Sequence, residues 1–163
     1  MAKSILTLFL FSFLTLYSQD SLGEIERLDP KLDLLIPKNA SLEILASGFS
    51  WAEGPVWVPH LNGVIFTDVP QNTAYLWTEK DGLSVFLKPS GMTNHAPHSA
   101  NQGANGLALN AQGDLILCQH GDRRIARLKK WGFEQAEFET LVDHYKGKWL
   151  NSPNDLVFTT NGD

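Results

Sequence analysis

Asn151-Ser152-Pro153-Asn154-Asp155 is the last and clearest of three segments built to one plan. Asn154-Asp155-Leu156-Val157-Phe158 leads to a turn at Asn161-Gly162, Asn105-Gly106-Leu107-Ala108-Leu109 to a turn at Gln112-Gly113, and Glu53-Gly54-Pro55-Val56-Trp57 to a turn at Asn62-Gly63. Each is an oxygen-bearing side chain, a small or acidic residue, a short apolar strand and then a glycine turn. The leaders lie 52 and 49 residues apart, and recurrence at such a period signals a repeat architecture. Asn-Gly between apolar runs signals a hairpin, because both central residues of the tight turn need positive φ. Glu53, Asn105 and Asn154 are therefore expected at one structural address in successive sheets.

Outward from these leaders, the first unit carries four short strands over 56–58, 64–67, 74–77 and 84–87, and the second repeats them over 107–109, 114–118, 124–128 and 138–142. Four strands per unit of about 50 residues is the construction of a β-propeller blade. Residues 88–104, rich in Pro, Ser, Asn, Gly and His, form a long loop that borders a binding mouth. A third unit begins at Pro153 and has one strand and its turn. A ring of six such sheets needs roughly 300 residues, and two and a fraction blades leave strand edges open. The chain thus reads as an all-β, truncated part of a six-bladed propeller, with self-assembly as the less favoured alternative.

Residues 1–18 carry one positive charge, Lys3, and an uncharged run over 5–17. That is the pattern of a secretory signal peptide and is too short for a comfortable membrane span; a buried first element is the alternative. The expected organisation is a signal peptide at 1–18, a lead-in segment at 19–41 and the partial propeller at 42–163, with a first strand over 42–46. The net charge of −5 becomes −6 without Lys3, a poor match to nucleic acid. One cysteine, Cys118, forms no internal disulfide and sits in an apolar run as a buried hydrophobe. The product is expected to be secreted or periplasmic and free of the membrane after cleavage.

The inner strand of a blade lines the central channel, so residues at its start converge on the axis. One carboxylate and two amides offer only oxygen, which suits a hard divalent cation such as Ca²⁺; the alternative is that each satisfies a local turn. His95 and His98 have a spacing zinc can use, but Pro97 argues against a helix there and no thiol or third histidine is near. There is no Gly-x-Ser-x-Gly elbow. Arg123, Arg124, Arg127, Lys129 and Lys130 suggest an edge strand guarded by charge, and Trp57 and Trp77 are expected to pack.

The segments 53–57, 105–109, 118–124 and 150–155 together resemble the senescence-marker-protein, gluconolactonase and luciferin-regenerating-enzyme family, over about residues 42–163. The resemblance implies a six-bladed propeller with a divalent metal in its axial pocket, most often calcium with zinc, magnesium or manganese open, hydrolysing sugar lactones or related esters. Glu53 and Asn154 match metal-binding positions, and Asn105 sits where it joins that shell. Animal members carry an arginine at the position of Ser152, whereas the Asn-Ser-Pro-Asn-Asp form is the bacterial type. Asn105, Ser152 and His120 make the substrate-binding set. The general base implied by the family is an aspartate of a later blade, so the catalytic residue is expected beyond residue 163 and the fragment alone is expected to be inactive. Among the residues present only His120 offers a substitute base; otherwise it is a rim residue making hydrogen bonds.

These readings converge on a monomeric, metal-dependent, gluconolactonase-like hydrolase of a small lactone. The alternative is a non-catalytic propeller that binds sugars or protein partners through the same face.

Overall fold

The computed structural model describes residues 22–97, 102–131 and 136–162. The chain divides into two units, residues 1–44 and 45–163. In the first, Pro30–Leu34 form a 3-10 turn whose leading Asp29 accepts the Lys31 amide at 2.8 Å. Arg27 fastens this turn to the segment after it, donating to Asp33 at 2.8 Å and to the Pro37 carbonyl at 2.6 Å. Residues 42–46, expected as a strand, form none; their weak alternation finds no neighbouring ladder, and a strand without a partner leaves its backbone groups to water. The apolar run at 5–17 lies outside the described residues. Among the described residues no helix is long and apolar enough to cross a membrane.

The second unit contains two four-stranded antiparallel sheets, each a meander in chain order. The first is β1 (Ala52–Val58), β2 (Gly63–Asp68), β3 (Thr73–Thr78) and β4 (Gly82–Leu87); the second is β5 (Ala104–Leu109), β6 (Leu115–Gln119), β7 (Arg124–Leu128) and β8 (Phe138–Val142). All eight strands occupy the expected places, because alternating apolar runs are punctuated by residues at positive φ: Asn62, Asn72, Gly82, Gly113 and Arg123. A small hairpin, β9 (His144–Tyr145) and β10 (Lys148–Trp149), comes after β8 and turns at Lys146-Gly147. Residues 156–158, expected as the first strand of a third unit, form no strand, although the turn beyond them is present, with Gly162 donating to the Thr159 carbonyl at 3.0 Å.

The two sheets bury one face each against the other. Val58, Ile65, Ala74, Phe86 and Leu87 meet Ala104, Leu107, Leu115, Leu117 and Leu128 in one core, and each large aliphatic side chain so buried contributes about 1.5–3 kcal/mol. Cross-strand partners share a face, so Trp57, Val64, Trp77 and Leu83, paired in that order, lie on the other face of the first sheet. Trp57, expected to pack, is 50% exposed there. The basic strand is also not an edge: β7 lies between β6 and β8. Its charges are spent within the sheet, Arg124 on Gln119, Thr140 and Asp122 and Arg127 on Glu139 and Asp114.

Candidate functional site

Antiparallel pairing sorts the connections by end. In the second sheet Ala104 pairs Gln119, Gln119 pairs Arg124, and Val142 pairs Ile125, so the start of β5, the β6–β7 turn and the end of β8 share one end. The first sheet repeats this with the start of β1, the β2–β3 turn and the end of β4, since Ala52 pairs Asp68 and Asp68 pairs Thr73. Glu53, Asn105 and His120 therefore lie at corresponding ends of their sheets. The chain leaves β4 after Leu87 and β8 after Val142 at the same end.

The leaders adjoin through their backbones. A Cβ on Gly54 would lie 2.5 Å from the Asn105 carbonyl oxygen, and one on Gly106 would lie 2.5 Å from Asp155 Oδ1 and 2.9 Å from the Asn154 carbonyl oxygen. Only glycine allows that approach. The Gly106 amide donates to the Asn154 carbonyl at 2.7 Å, and the Thr67 hydroxyl reaches the carbonyls of both Glu53, at 3.2 Å, and Asn105, at 3.0 Å. First, second and third leaders thus stand side by side.

Their register is not identical. Two residues of β1, Gly54 and Pro55, oppose one of β2, and two of β5, Asn105 and Gly106, oppose one of β6. These are β-bulges. Glu53 precedes its bulge while Asn105 opens its own, an offset of one residue from the single address expected. Ahead of the bulge Glu53 pairs with Thr67, and beyond it Val56 pairs with Ile65, so Glu53 falls on the face that meets the second sheet. The residue is half-buried, and Oε1 accepts the Trp51 indole N–H at 2.8 Å in an exposed hydrogen bond. Asn105 is 4% exposed. Asn154 is exposed, and Ser152, half-buried, takes a left-handed φ of 53° just before it.

His120 opens the β6–β7 turn, where the Arg123 amide donates to its carbonyl at 3.2 Å. Its Nδ1 is buried and has no hydrogen-bond partner among the described residues. Burial disfavours the imidazolium and lowers its pKa, leaving a neutral ring with a hydrogen-bonding position to spare. Cys118 behaves as expected: burial, helped by the charge of Asp155, pushes its thiol up to about 12.

Other groups that shape this end are not singled out by the sequence. Asn72, at a φ of 51°, accepts the amides of Ser90, Gly91 and Met92 at 2.9–3.1 Å. The fully buried Asp122 accepts the amides of Thr93 and His95 at 2.9 and 3.1 Å, and the Thr93 hydroxyl. Asn72 ends, and Asp122 lies within, a short turn containing Gly, Pro, Asn or Asp, the one signal that marks them. His95 Nε2 lies 3.0 Å from Asp143 Oδ2; His98, the other half of the spacing zinc can use, lies outside the described residues. Among the described residues no three His, Cys, Asp or Glu side chains come together in a way that could hold a metal ion, so an ion at this end would draw on amides as well as Glu53.

Consecutive meanders whose inner strands adjoin, with oxygen-bearing leaders at one end, define a protein of the propeller class. The chain belongs to the SMP-30/gluconolactonase/LRE-like family, whose model matches residues 51–163. A gluconolactonase of Zymomonas mobilis subsp. mobilis is 36% identical over 144 residues, 87% of this chain and 40% of that protein. A solved protein named as a candidate gluconolactonase superposes with a TM-score of 0.67 at 40% identity, over 82% of this chain and 41% of its own. A gluconolactonase of Xanthomonas campestris, described as important in glucose secondary metabolic pathways, gives 0.63 at 33% identity, over 77% and 37%. The chain therefore spans about two fifths of the length of these relatives.

Proposed function

We propose that the leaders form part of the axial pocket of a six-bladed, exported lactonase that opens the ester ring of a small sugar lactone with the help of a divalent cation, Ca²⁺ above all. The observation that carries this is the side-by-side approach of the three leaders, Gly54 against Asn105 and Gly106 against Asn154. The gluconolactonase relatives supply the substrate class.

The residues fit a hard cation. Glu53 brings one negative charge with one oxygen already held by Trp51, and the amides of Asn105 and Asn154 bring neutral carbonyl oxygens, the mixture such an ion accepts. Glu53 and Asn154 would hold it. When bound, the ion polarises the lactone carbonyl and lowers the pKa of water. Asn105 and Ser152 orient the lactone by its ring oxygens and hydroxyls. His120, neutral and half-buried as a residue, offers Nε2 to substrate or water, since its Nδ1 is buried. Residues 1–18 direct export, and the protein acts as a monomer.

The test is turnover of a panel of aldonolactones by the whole protein, before and after chelation, and by Glu53→Gln. Near-complete loss in both is expected. Retained turnover in both would remove the cation from the reading, and tight sugar binding without turnover in the wild type would favour a binding propeller.

A further inference from the structure

Two segments leave the leader end of the sheets: the long loop beginning at residue 88, whose described part includes 88–97, and residues 143–153, which run from β8 through the β9–β10 hairpin to the third leader. Asp143 joins them. Its Oδ2 lies 3.0 Å from His95 Nε2 and its Oδ1 2.7 Å from His144 Nδ1. Both imidazoles also pack on Trp149, His144 at 4.1 Å between ring centroids and His95 edge-on at 5.8 Å.

Each segment has its own anchor besides. Asp122 holds the amides at Thr93 and His95. Arg123 Nε donates to the Leu150 carbonyl at 2.6 Å, and the Leu150 amide closes the hairpin base on the Asp143 carbonyl at 2.8 Å. The ladders of β5–β8 are complete without the His95–Asp143–His144 contacts. A carboxylate satisfied twice by side chains of two segments, where the sheet does not require it, has the geometry of a clasp.

We propose that Asp143 is a positioning residue that sets substrate specificity: through His95 and His144 it fixes Trp149 and its hairpin as a wall of the substrate mouth. The ligand portion it would take is the non-reacting, hydroxylated part of a sugar lactone. An indole face bordered by imidazole and carboxylate groups matches the apolar C–H face and hydroxyl edge of such a molecule. Binding energy from this remote part is what holds the reacting ester in place. The proposal rests on the lactonase reading above.

The experiment uses the whole protein as wild type, Asp143→Ala, Asp143→Asn and Trp149→Ala, with kcat and KM measured for lactones with and without a hydroxylated side chain. Amide exchange over 92–97 and 144–150 is followed without substrate. Expected for Asp143→Ala is a rise in KM of about tenfold for hydroxylated lactones, little change for the unsubstituted ring, a kcat near wild type and faster exchange in both segments. Asp143→Asn, which keeps one acceptor oxygen, falls between. Trp149→Ala shifts KM in the same selective way. Equal KM changes for all lactones, or none, would overturn the specificity role, and unchanged exchange would overturn the clasp. If the wild type hydrolyses no lactone, the lactonase reading fails and the specificity role with it, while the exchange comparison still decides the clasp.

Discussion

The carbonyl oxygen of Asn154 accepts the amide of Gly106 at 2.7 Å, and this one backbone bond joins the second leader to the third. The first leader meets the second in a similar way, with Gly54 against the Asn105 carbonyl and the Thr67 hydroxyl shared between Glu53 and Asn105. A hydroxyl has one hydrogen to donate, so Thr67 ties both inner strands with a single proton.

Gly106→Ala tests the approach directly. Its φ is not in the left-handed region, so the cost is steric: the new Cβ would sit 2.5 Å from Asp155 Oδ1 and 2.9 Å from the Asn154 carbonyl oxygen. A loss of about 1–3 kcal/mol is expected, read as a lowered urea midpoint, with faster exchange of the amide at position 106.

Trp51→Phe removes the N–H that holds Glu53 Oε1 at 2.8 Å and keeps an aromatic ring. Partners that orient a metal ligand are typically worth 10–100-fold in affinity. If Glu53 holds Ca²⁺ as proposed, calorimetric titration with Ca²⁺ is expected to show weakening of at least about tenfold, with the urea midpoint little changed.

Asp143 gives a pH dependence of defined sign. Hydrogen bonds from His144 and then His95 hold its pKa below the ordinary carboxylate value. The unfolded chain then binds more protons as the medium is acidified. The contribution is complete above the unfolded value of about 4 and is lost as pH falls through the lower folded value. The gap in urea midpoint between wild type and Asp143→Asn should be widest at neutral pH and narrow below about pH 4.

Cys118 should be inert in the folded protein. Its thiol, pushed up to about 12, is protonated at pH 8, and reagents need the thiolate. Labelling by a soluble disulfide reagent is expected to wait for unfolding and to become fast in urea.

Much of the fold is legible in the letters because it is local. Strand alternation and the glycine and asparagine turns lie within a few residues of each other, so all eight sheet strands are found where the pattern puts them. What depends on distant partners is not legible. Residues 42–46 alternate like a strand but have no ladder, and β7 looks like a guarded edge although its Arg127 is matched by Asp114 and Glu139 and its Arg124 by Asp122. The anchoring roles of Asn72 and Asp122 depend on amides 18–29 residues away, and the Asp143 clasp spans 48. The leaders are visible as a repeat. Their one-residue offset is not, although Gly54-Pro55 inside a strand is a mark of a bulge.

That offset gives the inner strands an unusual dependence on length. Side chains along a strand alternate like beads of two colours, and the extra bead at 54–55 swaps the colour of everything before it. Shortening β1 by one bead there would leave the hydrophobic lettering and every later hairpin intact, yet turn the carboxylate at position 53 to the opposite side. In this strand chain length, as much as residue identity, decides which way the acid faces, and an insertion or deletion would silence it more surely than many substitutions.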